Sequence, residues 1–209
     1  MTRVLVWRHG NTDWNAGHRV QGQTDVALND VGRRQAAEAA ALLAAMRPDA
    51  IVSSDLRRAA DTAAALATLT GLPVSTDERL RERYFGAWQG LTTAEVAEQR
   101  PEEYARWKAG EDAVGGGVET LDDLGKRVCE AIQDAARLAP GGTVVVATHG
   151  AAARQGIGHL LGWRQEQMRT LRALQNCHWV SLADDPVRGW QLESYNIGVL
   201  VFREPDVIG

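Results

Sequence analysis

The 209-residue sequence predicts a three-layer α/β/α sandwich around a central sheet that is mixed but mostly parallel. Three observations carry this. Short apolar runs at 3–7, 50–53 and 143–148 alternate with longer helical patterns, as in a sheet covered on both faces. Two runs stop at a His-Gly pair: Val4-Leu5-Val6-Trp7 leads into Arg8-His9-Gly10, and Thr143-Val144-Val145-Val146-Ala147 leads into Thr148-His149-Gly150. Two further runs, 178–183 and 190–196, are joined by Asp184-Asp185-Pro186-Val187-Arg188-Gly189, a turn-rich connection that suits an antiparallel hairpin.

The helices follow in order. Asn29 is an N-cap candidate for a segment ending near Met46 and rich in Ala36, Ala37, Ala39, Ala40, Leu42 and Leu43. Ser54 is a cap candidate for a second helix, with Leu56, Ala59, Ala63, Leu66 and Ala67 at helical spacing, Gly71 as a stop and Pro73 beyond it. A third starts at the capping-box-like Thr120-x-x-Asp123 and carries Leu121, Leu124, Val128, Ile132 and Ala135 on one face. A fourth follows His149 and runs through Ile157, Leu160 and Leu161 to Gly162, its N-terminus offering backbone N–H groups to an anion. Residues 83–119 fit no strand-helix alternation and are expected to form a lid-like excursion over the strand ends. The whole of 1–209 is expected to be one domain.

Composition narrows the function. A net charge of -4 gives no reason to expect nucleic acid, whose phosphates demand a basic surface. No apolar run is long enough to span a bilayer, and the N-terminus lacks the pattern of a signal peptide, so no membrane is expected. Cys129 and Cys177 match neither a metal spacing nor a disulfide framework, which fits a reducing, cytoplasmic setting. The seven tryptophans are read as core and lid packing. Glu102-Glu103 and Asp122-Asp123 are read as helix-start charge, and no metal site is expected. His18, His159 and His178 have no partner pattern.

In an open α/β sheet, residues that terminate parallel strands are the ones placed to meet a ligand. A phosphate monoester needs charged donors and a nucleophile. Arginine supplies paired donors. Histidine supplies the nucleophile if one ring nitrogen is bare while the other is held as N–H, and neighbouring arginines disfavour the imidazolium. Arg8-His9 provides both.

Four motifs stand in order: Arg8-His9-Gly10-Asn11-Thr12-Asp13-Trp14-Asn15, Gln21-Gly22-Gln23-x-Asp25-x-x-Leu28, Ser53-Ser54-Asp55-Leu56-Arg57-Arg58-Ala59 and Leu80-Arg81-Glu82. Together they resemble the histidine phosphatase superfamily, also called phosphoglycerate mutase-like, over most of the chain. The resemblance implies a phosphoglycerate mutase-like fold and a metal-independent phosphatase that acts on small phosphorylated metabolites through a phosphohistidine and uses no cofactor. It implies His9 as the nucleophile, with Arg8, Asn15, Arg58 and His149 holding the phosphoryl oxygens and Glu82 protonating the leaving group. Periodicity does not separate Arg57 from Arg58; the family motif aligns the second. Gln21 and Gly22 match positions near the substrate in relatives, though a plain polar turn explains them equally well. Glu82 is ionised at neutral pH by its reference value, so an acid or near-neutral optimum is expected, reached with the help of the phosphate dianion and cover by the lid.

Within the superfamily, a cofactor-dependent phosphoglycerate mutase is the alternative, and a non-catalytic phosphate-binding protein a more remote one. Mutases carry an arginine-rich, proline-rich insertion after the acid motif. Here 90–107 is acidic and aromatic, offering a second anionic group little purchase, so hydrolysis is favoured. Gln21-Gly22-Gln23, the 53–63 motif and Trp88-Gln89-Gly90-Leu91-Thr92 are most similar to the actinobacterial group acting on glucosyl-3-phosphoglycerate, and a broad substrate range is the other expectation. Asn11 departs from the glutamate or glutamine of many relatives. A homodimer is among the states open to the chain.

Overall fold

The computed structural model describes residues 1–112 and 114–199; residue 113 of the expected lid and 200–209 of the expected domain lie outside the described residues. The elements are β1 (Thr2–Arg8), α1 (Asp13–Ala16), α2 (Asp30–Ala45), β2 (Ala50–Ser53), α3 (Arg57–Thr70), β3 (Val74–Thr76), α4 (Thr93–Gln99), α5 (Pro101–Lys108), α6 (Leu121–Ala136), β4 (Thr143–Thr148), α7 (Gly150–Leu160), α8 (Gln165–Met168), β5 (Trp179–Asp185) and β6 (Gly189–Ile197). The sheet order is β3-β2-β4-β1-β5-β6. β1 pairs parallel with β4, and β2 with β4 and β3. β5 runs antiparallel to β1 and to β6, so the sheet is mixed, as expected.

Side chains alternate across a strand, and the apolar runs therefore feed two cores. Val4, Val6, Val144 and Val146 pack against Leu124, Val128, Ile132 and Ile157 of α6 and α7. Leu5, Trp7, Val145 and Ala147 face the other way, onto Ala36, Ala39, Ala40 and Leu43 of α2 and Ala63 and Leu66 of α3. A third cluster joins Trp88, Val96 and Val114 with Val20, Phe85, Leu91, Tyr104 and Trp107. It holds the 83–119 segment together as a small unit beside the sheet.

Four details depart from the sequence reading. Ser54 does not cap α3; the helix starts at Arg57 with Leu56 in the cap position and no side-chain bond, and Ser54 Oγ accepts from the Leu56 N–H in the turn before it. β3 was not foreseen: it is three residues long, half-exposed, and too short to show alternation. Thr120 accepts from the Asp123 N–H, but the reciprocal half of a capping box is absent. The 83–119 segment is more regular than expected, since it contains α4, capped by Thr92 with Glu95, and α5, which starts at Pro101.

Candidate active site

The candidate site lies at the carboxyl ends of β1, β2 and β4, which deliver His9, Ser54 and His149. The chain leaves β1 through a very close crossing: a Cβ on Gly32 would stand 2.0 Å from the Asn11 carbonyl oxygen. Only glycine lets the start of α2 pass under the His9 loop. From the other side of β1, the approach to antiparallel β5 holds the same turn. The Cys177 N–H donates to the Arg8 and His9 carbonyls at 3.1 and 3.3 Å, and Asn176 Nδ2 donates to the His9 carbonyl at 2.9 Å.

His9 is 2 % exposed. Its Nδ1 lies 2.7 Å from the Gly10 carbonyl, which can only accept, so Nδ1 carries the proton and Nε2 is bare. Burial, followed by the charges of Arg8 and Arg58, holds the imidazole well below the ordinary histidine range. His9 is thus a neutral base with its free nitrogen in the cationic part of the cavity.

His149 packs against it with ring centroids 5.1 Å apart. Arg58 Nε donates to His149 Nδ1 at 3.1 Å, which places the His149 proton on Nε2, 2.9 Å from Ser54 Oγ. Ser54 Oγ thus accepts from both His149 Nε2 and the Leu56 N–H. Burial, then Arg58, His9 and Arg8, keep His149 neutral as well. Arg58 itself is fully buried; its two Nη atoms donate to the Thr24 and Gly22 carbonyls at 2.8 and 2.7 Å. Burial brings its pKa down to about 10, leaving it charged at neutral pH. Gly22 accepts Arg58 at φ +53°, where a Cβ would also strike Gln89 Oε1 at 2.1 Å. Arg57, by contrast, is exposed.

Arg8 reaches the Leu174 carbonyl through Nη1, while its Nε is buried with no partner among the described residues. An unpaired buried guanidinium N–H costs free energy unless an anion meets it. Asn15 Oδ1 gathers Thr12 N–H at 3.2 Å, Thr12 Oγ1 at 3.1 Å and Asn176 Nδ2 at 3.4 Å, so its own amide nitrogen is the group left for the cavity. Gln21 Oε1 also lies 3.0 Å from Thr12 Oγ1, whose single proton serves only one of the two amides at a time.

Glu82 does something the sequence did not reveal. Its Oε1 accepts from the Arg83 and Ala152 N–H groups at 2.8 and 2.9 Å, and its Oε2 from Ala151 at 3.1 Å. The start of α7, expected to greet an anion beside His149, is therefore occupied by this carboxylate. Arg127 of α6 fixes the peptide behind it, donating to the Arg79, Arg81 and Glu82 carbonyls at 2.7, 2.7 and 2.9 Å.

Arg8, His9, Asn15, Gln21, Gly22, Arg58 and Glu82 line one cavity of about 220 Å³, together with Phe85, Trp88, Tyr104 and Trp107 of the 83–119 segment. His149 stands behind His9 and Arg58. Trp88 Nε1 donates to Glu103 Oε2 at 2.8 Å, which ties α5 to the aromatic wall. Asn176 and Arg127 were missed in the sequence. Asn176 had one usable signal: it precedes a strand antiparallel to β1, so it arrives at the same end of the sheet as His9. Arg19 was missed too. An isolated bridge between Arg19 and Thr92 brings it to this cavity, so the second-anion expectation, drawn from 90–107 alone, overlooked a cation.

Residues 4–198 match the model of the histidine phosphatase superfamily, branch 1. A glucosyl-3-phosphoglycerate phosphatase from Mycolicibacterium vanbaalenii is 40% identical over 220 residues, covering 97% of both chains. A metal-independent phosphoserine phosphatase from Arabidopsis thaliana is 40% identical over 158 residues, 74% of this chain and 66% of its own. Among solved structures, a mycobacterial glucosyl-3-phosphoglycerate phosphatase in complex with VO3 superposes with a TM-score of 0.84 at 36% identity, over 93% of this chain and 98% of that one. Motif order, fold and near full-length similarity agree, and the chain belongs to the histidine phosphatase superfamily.

Proposed function

We propose that this phosphoric monoester hydrolase transfers the phosphoryl group of a small metabolite to His9 Nε2 and then to water, without a metal. The observation that carries the reading is the Nδ1–H bond of His9 to the Gly10 carbonyl, which leaves Nε2 bare inside a cavity holding Arg8 and Arg58. Nε2 attacks phosphorus and the ester P–O bond breaks. The departing alkoxide takes the proton of Glu82. Water then gives a proton back to Glu82 as its oxygen attacks phospho-His9, the P–N bond breaks, and inorganic phosphate leaves. The proton gained in this half is the one delivered in the next turnover.

The remaining groups act on charge and geometry. Arg8, Arg58 and the Asn15 amide meet the phosphoryl oxygens, and such fixed donors supply most of what phosphoryl transfer requires. His149, neutral and held between Arg58 Nε and Ser54 Oγ, orients the Arg58 guanidinium beside His9. The aromatic wall of Phe85, Trp88, Tyr104 and Trp107 receives the alcohol part. Within this class, a glucosylated 3-phosphoglycerate is the leading substrate, supported by near full-length similarity to enzymes named for it. A reducing cytoplasmic setting agrees with Cys129 and Cys177, both buried and free.

The test is release of p-nitrophenol from p-nitrophenyl phosphate in EDTA. Turnover in the native protein that vanishes in His9→Ala is expected. Turnover that persists in His9→Ala, or that needs a metal, would refute the reading. A panel of phosphorylated metabolites containing glucosyl-3-phosphoglycerate then ranks substrates by kcat/KM.

A further inference from the structure

The cavity is lined by three arginines and one carboxylate: Arg8, Arg19, Arg58 and Glu82. Arg8 and Arg58 belong to the phosphoryl end, where both act on His9 and His149. Arg19 belongs to a different wall. It bridges Thr92, and its Nη1 is anchored twice, to the Gly90 carbonyl at 2.8 Å and to Glu95 Oε2 at 3.1 Å. Its neighbours around the cavity are Val20, Thr93 and Val96.

The anchoring is one-sided. Neither Nε nor Nη2 of Arg19 has a hydrogen-bond partner among the described residues, so the edge that can make two parallel N–H···O bonds is unused. Glu95 has duties of its own: it accepts from the Thr92 N–H at 2.7 Å to cap α4. The Arg19–Glu95 pair is exposed, with side chains 41% and 39% accessible, and such pairs are weak. Arg19 is therefore pre-positioned by Nη1 and only partly neutralised.

We infer that Arg19 is a specificity-determining residue that binds a carboxylate on the alcohol part of the substrate, through its Nε and Nη2 edge. The charges decide for a carboxylate over a second phosphate. With Glu82 carrying the proton it delivers, Arg8 and Arg58 balance one phosphate dianion, and what remains on Arg19 beside Glu95 is at most one positive charge. The substrate class is thus phosphate monoesters of hydroxy acids, with the phosphate at His9 and the acid at the Arg19 wall.

This inference rests on the phosphatase reading, and the experiment separates the two. kcat/KM is measured for 3-phosphoglycerate, its carboxyl methyl ester and glycerol 3-phosphate, in the native protein and in Arg19→Gln. Native protein is expected to favour the free acid over the methyl ester by at least tenfold, mainly in KM. Arg19→Gln is expected to lose that preference while turning over glycerol 3-phosphate within about twofold of native. Arg19→Lys, which keeps the charge but not the fork, is expected to fall between. Equal losses on all three substrates, or a preference for the free acid that survives in Arg19→Gln, would overturn the assignment. If folded native protein hydrolyses p-nitrophenyl phosphate but not 3-phosphoglycerate, the assignment alone falls; if it hydrolyses neither p-nitrophenyl phosphate nor any of the three, the phosphatase reading falls with it.

Discussion

Replacing Glu82 by glutamine separates proton transfer from everything else the residue does. In Glu82→Gln the new side chain would keep the bonds that Oε1 now accepts from Arg83 and Ala152, while its amide nitrogen would face the Ala151 N–H and forfeit the third. One lost hydrogen bond costs about 1 kcal/mol of stability. General acid catalysis contributes about 10²–10⁴-fold, or roughly 3–5 kcal/mol of barrier. The chemical effect therefore exceeds the structural one. For an alkyl ester such as glycerol 3-phosphate, whose alkoxide leaves poorly without a proton, kcat/KM should fall by about 10²–10⁴-fold. For p-nitrophenyl phosphate, whose phenolate leaves unaided, formation of phospho-His9 should slow by less than about tenfold in a stopped-flow burst. Steady-state turnover of the aryl ester then becomes limited by the second half-reaction, where Glu82 activates water, so the burst amplitude should rise. Equal losses in the first step for both esters would refute the general-acid assignment, and a large fall in thermal stability would show that the residue acts mainly by holding the start of α7.

Acid should destabilise the fold through the histidine pair. Both imidazoles are depressed in the folded state by burial and by arginines, so as pH falls the unfolded chain binds protons first. Their contribution is complete above the unfolded value of about 6.5 and declines below it. Urea midpoints measured from pH 8 to 4 should drop below about 6.5, and less steeply in His149→Asn; an unchanged slope in that variant would contradict the origin given. Arg127→Met removes charged bonds to three carbonyls behind Glu82 and should cost about 3 kcal/mol and lower kcat more than it raises KM. A denaturation curve matching native protein would show that those carbonyls find other partners. Incubation with 3-phosphoglycerate and 2,3-bisphosphoglycerate should give inorganic phosphate, not net 2-phosphoglycerate; isomerisation outpacing phosphate release would favour the mutase alternative.

The parts of the fold that bury a periodic apolar face were legible in the sequence. Val4 to Trp7 and Val144 to Ala147 alternate between two cores, and α2, α6 and α7 begin where Asn29, Thr120 and His149 suggest. β3 and the helices of the 83–119 segment were not, because a short exposed strand and two short helices packed around Trp88 carry too little pattern. Of the residues expected at the site, Arg8, His9 and Arg58 line one cavity, while His149, expected to hold phosphoryl oxygens, stands behind it bonded to Arg58 and Ser54. Residues that serve by holding others were not legible. Ser54 was read as a cap when its hydroxyl faces His149, and Arg127 and Asn176 act on main-chain carbonyls, a role no spacing announces. Arg19 is held at the cavity by a bridge to Thr92 and bonds to Gly90 and Glu95, contacts between distant segments.

The central claim is that His9 carries the phosphoryl group. Native protein mixed with a phosphate ester and quenched in alkali within milliseconds should hold up to one phosphate per chain, stable to base and labile to acid, and mapped by mass spectrometry to Nε2 of His9. The same quench of His9→Ala should hold none. Phosphate bound to another residue, or steady hydrolysis with no phosphorylated protein at any time, would contradict the account.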